Sequence, residues 1–419
     1  MDIARRDMTV PMSTPDDVSA RYLRILLPVL SLLLFVPILQ SIYWPAANGL
    51  DIVGYPLGRD FINIWTGPRL AFGGDMAALF NLDAYNAGIA REFGQTLPWH
   101  NWSYPLFTLI LFRPLAQLPY FAALAVWTFG LFAIFAAVTA SQIERQQRIV
   151  ALALLVLAPA VLINAVGGQN GFLSAILLLG GVLLIERRPV LAGILFGLLT
   201  YKPQLGLVLP FVLLALGAWR TIAAAVVTTI VLVAASVAVF GVEPWRTYIE
   251  VTGPLQVQIL ERFQGFGMYM LTSVMSAVRS AGFPLQAAFA AQIALAVPVI
   301  AVAAWAIRQT SDPARRAFVL VAATMLATPY ALVYDFPALT AVMLWNLCRT
   351  QPLGFGRAAL LLAAWLTPLA AMYLNARGLT LAPFAVFAVF ALAVRDAIWE
   401  GRVARPAPAA PLLGSGAAA

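Results

Sequence analysis

Apolar runs of about 17–25 residues, each able to cross a bilayer core roughly 30 Å thick, recur along nearly the whole chain. The first extends from Tyr22 to Trp44. Lipid offers no water to backbone N–H and C=O groups, so only helices or closed barrels span it. These runs are continuous rather than alternating, which argues against barrel strands. The expected fold is all-α, a polytopic integral membrane protein. With 62% hydrophobic and 11% charged residues, the composition lies far from that of soluble domains.

Reactive side chains are few. Cys348 is the single cysteine and His100 the single histidine. An internal disulfide and a cysteine metal cluster are excluded, and a histidine metal site or Ser-His-Asp triad is not expected. No metal and no cofactor are expected. Lys202 is the single lysine, and the formal charge is +8. That excess follows membrane topology rather than a nucleic-acid footprint, so the bilayer is the expected partner and nucleic acid is not. The first run follows a long polar stretch and lacks a small-x-small cleavage site, so it is expected to be a retained helix.

About twelve spans are expected: 23–43, 120–140, 149–165, 171–185, 189–200, 204–218, 221–241, 284–307, 317–328, 336–348, 358–374 and 380–396. An even number puts both termini on one side. Placing them in the cytoplasm leaves 17 of the 26 basic residues inside, as the positive-inside rule prefers. Segment 104–118 contains Pro105, Arg113 and Pro114, and is expected to be a re-entrant or interfacial helix. The chain then divides into a cytoplasmic tail (1–22), one transmembrane domain (23–397) and a disordered cytoplasmic tail (398–419). Outer loops are expected at 45–103, long enough for two short amphipathic helices, and at 242–283.

Five polar patches interrupt this apolar pattern. They are Arg59-Asp60, Asn101-Trp102-Ser103-Tyr104-Pro105, Gly167-Gly168-Gln169-Asn170-Gly171, Tyr201-Lys202-Pro203-Gln204, and Thr328-Pro329-Tyr330 through Tyr334-Asp335. In the topology above all five reach the outer surface. Basic groups there can neutralise phosphate, and an acid can take a proton from a hydroxyl. Each patch also has a plain structural reading: a surface ion pair, a snorkelling lysine, a tight turn or an aromatic belt. His100, beside Trp99 and Trp102, reads as an interfacial residue. What favours a site is the placement of all five together.

In their order, Gly58-Arg59-Asp60-Phe61, Trp102-Ser103-Tyr104-Pro105, Phe112-Arg113-Pro114-Leu115, Gly168-Gln169-Asn170, Lys202-Pro203-Gln204 and Thr328-Pro329-Tyr330…Tyr334-Asp335 resemble glycosyltransferase family 87. The resemblance implies a GT-C-type helical bundle and a polyprenyl-phosphate-sugar donor, mannose by analogy. It also implies a glycan or glycolipid acceptor, a periplasmic site at the bacterial inner membrane, and a monomer. Carried over by position, Asp60 is the general base of an inverting transfer. Lys202, Arg59 and Arg113 would hold the donor phosphate. Asn63, Trp65, Tyr104, Gln169, Asn170, Gln204, Tyr330, Tyr334 and Asp335 would contact substrate. Mycobacterial relatives carry histidines in the segment matching Tyr334-Asp335, which leaves Asp335 either to orient the acceptor or to stand as a second acid. A transporter or flippase of lipid-linked sugars is the alternative, against which stand the absence of a repeat and the bias of the polar patches to one surface. The topology is checked by a cysteine at position 75 in a Cys348-free background. It should be labelled by an impermeant reagent from the periplasm, and labelling only after permeabilisation would reverse the orientation.

Overall fold

A computed structural model describes residues 15–349 and 353–403. The expectations for residues 1–14 and for the tail beyond 403 lie outside the described residues. Every described element is a helix, with isolated bridges but no strand among the described residues. Helix α1, described from Pro15 to Ile38, runs through part of the stretch expected as a tail. The loop that follows carries α2 (Phe61–Phe72) and α3 (Leu82–Phe93). Next comes α4 (Phe107–Ala116), whose 10 residues reach only about 15 Å. The longer helices that follow are α5 (Tyr120–Ala140), the bent pair α6 (Arg148–Val156) and α7 (Pro159–Gly167), α8 (Gly171–Leu184), α9 (Pro189–Tyr201), α10 (Pro203–Ala215) and α11 (Trp219–Phe240). After them come α12 (Gly253–Arg262), α13 (Val274–Ser280), α14 (Leu285–Ala306), α15 (Pro313–Ala327), α16 (Pro337–Leu347), α17 (Phe355–Asn375) and α18 (Ala382–Val403).

The count of about twelve spans is not confirmed. Among the described residues 6 helices are long and apolar enough to cross a membrane, or 7 if the pair bent by 53° is one span. The other expected spans are shorter, from 11 residues in α16 to 15 in α15. Their ends fall at the polar patches. Gly168 takes a left-handed φ of 54° after α7, Pro203 follows Lys202, and Pro329 follows Thr328. A proline removes an N–H and drives the preceding residue out of the helical region.

In α15 every residue from Ala317 to Ala327 is buried, and α16 is buried almost throughout. By contrast only 6% of the apolar window of α11 is buried inside the protein. Helices α15 and α16 therefore lie at the centre and α11 at the periphery. This is where broken backbone can be tolerated, because protein rather than lipid surrounds the helix ends.

The exposed helix α11 is fastened to the bundle through α9. A Cβ at Gly193 would lie 2.4 Å from the Thr221 carbonyl oxygen, and one at Gly197 would lie 2.5 Å from Thr228 Cβ. Glycines four apart let two backbones approach within van der Waals contact, which drives association where lipid supplies no hydrophobic force. Gly193→Val should destabilise the protein by about 1–3 kcal/mol, the usual cost of overpacking. Gly130→Ala, where a Cβ meets nothing within 4 Å, should leave the thermal midpoint in detergent unchanged or raised. Equal midpoints for the two variants would contradict this packing.

Candidate active site

The site is built around the break between α7 and α8. Gly168 packs directly on the loop that precedes α2: a Cβ there would lie 2.4 Å from the Gly58 carbonyl oxygen. Gly171 packs equally closely on the loop before α16, with a Cβ falling 1.9 Å from the Tyr334 carbonyl oxygen. Asn164, buried in α7, fixes both sides. Its Nδ2 donates to the Tyr334 carbonyl at 2.8 Å, and its Oδ1 accepts from the Gly171 N–H at 2.9 Å. Trp127 donates from Nε1 to the Gly168 carbonyl at 3.1 Å. The turn is held on every side, and its two polar side chains are free to point apart.

Gln169 points one way, donating from Nε2 to Asp60 Oδ2 at 2.7 Å. Asp60 immediately precedes α2 and is half-buried, without capping that helix through its side chain. Its cavity holds about 330 Å³ and is lined by Tyr43, Tyr55, Arg59, Asn63, His100 and Gln169 among others. Asn63 accepts from the Tyr85 hydroxyl at 2.9 Å. Arg59 does not pair with Asp60. It forms a buried ion pair with Asp51 at 2.7 Å, donates to the Ile42 carbonyl, and lies over the Tyr43 and Tyr55 rings. With Arg59 matched by Asp51, the Asp60 cavity carries one net negative charge.

Asn170 points the other way, donating from Nδ2 to the Tyr104 hydroxyl at 2.9 Å and accepting from Lys202 Nζ at 3.1 Å. Lys202 forms a buried ion pair with Asp335, whose second oxygen accepts from the Leu332 N–H at 3.1 Å. The ammonium also lies 4.7 Å from the Tyr334 ring centre. Tyr104, Asn170, Lys202 and Tyr334 line a second cavity of about 360 Å³ together with Gln204 and Tyr330, while Asp335 is buried behind Lys202 and does not line it. Burial pushes the Asp335 carboxyl up from the usual range, while Lys202 opposes that shift. Burial likewise raises the Tyr104, Tyr330 and Tyr334 hydroxyls. They are neutral near pH 7 and available as donors.

The fold thus brings Arg59, Asp60, Asn63 and Gln169 to one cavity, and Tyr104, Asn170, Lys202, Gln204, Tyr330 and Tyr334 to its neighbour, with Asp335 reaching it only through Lys202. Two expected residues stand apart. Arg113 lies near the far end of α4, six residues or about 9 Å beyond its start, exposed and stacked over Phe72. Trp65 is buried one turn into α2, donates to the Leu118 carbonyl at 2.9 Å and meets Phe93 and Tyr120 edge-on. Neither lines either cavity.

Three participants escaped the sequence reading. Asp51 is the partner of Arg59. Asn164 is a polar residue in an otherwise apolar helix, which was a usable signal. His100, read as interfacial, is buried against Tyr55 and lines the Asp60 cavity. Its Nδ1 meets the Pro98 carbonyl at 2.6 Å. A carbonyl can only accept, so Nδ1 carries the hydrogen and Nε2 the lone pair. Burial lowers its pKa while the Asp60 charge opposes the shift, so the ring is neutral near pH 7. Among the described residues no cluster of His, Cys, Asp and Glu is placed to hold a metal ion.

An all-helical, membrane-type bundle with an acid and a lysine in adjoining polar cavities has the makings of a membrane enzyme. The chain belongs to glycosyltransferase family 87, whose profile matches residues 102–329, more than half of it. No curated protein and no solved structure matches the chain. The matched region contains Tyr104, Gln169, Asn170, Lys202 and Gln204, and ends before Tyr330; Asp60 precedes it. Membership favours glycosyl transfer over transport.

The ion pair gives a direct test of the site's internal balance. Removing one partner of a buried pair leaves an uncompensated charge, which costs about 3–5 kcal/mol. Lys202→Met should lower the thermal midpoint accordingly. Adding Asp335→Asn should restore most of the loss, and failure of the double variant to recover would mean that Asp335 is not the charge Lys202 compensates.

Proposed function

We propose that this glycosyltransferase moves a sugar, mannose by family analogy, from a polyprenyl-phosphate donor to a hydroxyl of an envelope glycan or glycolipid. The reaction takes place at the periplasmic face of the bacterial inner membrane. The observation that carries the reading is the pair of adjoining cavities separated by one turn, with an oriented carboxylate in the first and an ammonium in the second.

Their electrostatics divide the substrates. A phosphate is disfavoured beside Asp60, where the net charge is already negative, and an acceptor hydroxyl is favoured there. The second cavity is electrically balanced by Lys202 and Asp335. It presents neutral hydroxyls and amides from Tyr104, Asn170, Gln204, Tyr330 and Tyr334, with the ammonium as the one cationic donor. The donor phosphate belongs there, and the sugar then lies across the Gln169-Asn170 turn.

In the proposed step the Asp60 carboxylate accepts the proton of the acceptor hydroxyl. The acceptor oxygen bonds to the anomeric carbon as the bond from that carbon to the phosphate oxygen breaks. Polyprenyl phosphate leaves with the electron pair, and its charge meets Lys202. Attack opposite the leaving group inverts the anomeric configuration. Gln169 holds one carboxylate oxygen, which orients the base without protonating it. Arg59 acts through structure in this scheme, since its charge is already matched by Asp51.

Asp60→Asn keeps the shape of the side chain and its contact with Gln169 while removing the base. With radiolabelled polyprenyl-phosphate mannose and a cell-envelope extract as acceptor, transfer should fall by about 10²–10⁴-fold. Full transfer by this variant would overturn the assignment of Asp60.

A further inference from the structure

A second feature lies between two of the long apolar helices, toward their C-terminal ends. Helices α14 and α18 bound a groove of about 510 Å³, walled by Leu295, Pro298 and Val302 from one helix and by Phe387, Ala391 and Val394 from the other. It is apolar along its length and reaches Arg395 and Ile398. From Phe387 to Ile398 is 11 residues, about 16 Å of helix. That equals the depth of one leaflet, half of a core roughly 30 Å thick.

One end of the groove is basic, because Arg395 lines it. Arg395 and Arg357 pair with Asp396, and beside them Arg315 and Arg349 pair with Asp312. Asp396 is already engaged at 2.6 Å by Arg357 and at 3.0 Å by Asn346, whereas Arg395 approaches it only to 3.3 Å and is 64% exposed. Arg395 is therefore the cation of this cluster best able to meet an outside anion. Trp305 and Trp399, both more than half exposed, lie near the same ends of α14 and α18, as expected for a lipid headgroup level.

We infer that the α14–α18 groove binds an anionic phospholipid, one acyl chain lying between the helices and the phosphate held by Arg395. An apolar slot one leaflet deep with a positive charge at one end complements an amphiphile with a single anionic head. The site is separate from the sugar-transfer cavities. Ala382, at the start of α18, shares a buried cluster with Met270, which lines the Asp60 cavity. Arg395 lies 13 residues further along, about 20 Å away. The occupant is thus a structural or regulatory lipid rather than the glycosyl donor.

Native mass spectrometry of the delipidated full chain, offered phosphatidylglycerol or phosphatidylcholine with the same acyl chains, tests this. Phosphatidylglycerol should be retained several-fold more than phosphatidylcholine. Arg395→Gln should bring its retention down to the phosphatidylcholine level, while Arg395→Lys should keep most of the difference. Ala391→Trp, which fills the groove and leaves the arginines intact, should lower retention of both lipids. Midpoints near wild type would show that the variants are folded. Equal retention of the two lipids, indifference to Ala391→Trp, displacement by polyprenyl phosphate, or a groove occupied by a second copy of the chain would each overturn the proposal.

Discussion

The amides of Gln169 and Asn170 leave one broken helix in opposite directions, and the site hangs on that divergence. One amide fixes the Asp60 carboxylate, the other joins Tyr104 to Lys202. Their backbone is in turn wedged between the Gly58 loop and the Tyr334 loop, at approaches only glycine permits. Residues more than a hundred positions apart are thereby set around a single turn. A side chain at either glycine would separate the acid from the lysine even if both kept their local structure.

Two buried ion pairs supply the electrostatic frame. Asp51 matches Arg59, and Asp335 matches Lys202. Taking four charges out of water is costly, and pairing recovers the cost only when the remaining hydrogen-bond capacity is also used. Here it is: Arg59 also reaches a carbonyl, Lys202 an amide, and Asp335 a backbone N–H. The consequence for chemistry is that Asp60 is left as the unmatched charge of its cavity. In the proposed reaction that charge serves as the base, and the leaving phosphate stays on the other side of the turn.

The architecture explains how a membrane-type bundle can carry so much broken backbone. The long helix α11 is almost wholly exposed, where lipid demands continuous hydrogen bonding. The short helices α15 and α16 lie at the centre, where neighbouring side chains such as Asn164 and Gln292 satisfy the exposed ends. Gln292 donates to the carbonyls of Leu326 and Ala327 at the end of α15 and accepts from the Met275 N–H.

By itself the sequence determined the all-helical class, the family and the five polar patches, because hydrophobicity and motif order are local properties of the chain. It also marked the six long spans, since their length is written in uninterrupted apolar runs. The number of spans was not legible: a short apolar helix buried in protein has the same composition as one meant to cross lipid. Nor were the pairings. Arg59 and Asp60 are adjacent in sequence, yet Arg59 turns to Asp51; Lys202 meets Asp335 across 133 positions; and Arg113, though inside a family motif, points away to Phe72. His100 looked interfacial beside two tryptophans until α2 and the loop from Pro98 closed around one cavity. Which charge compensates which, and which remains available for chemistry, depends on distances of a few ångströms that only the packed helices decide.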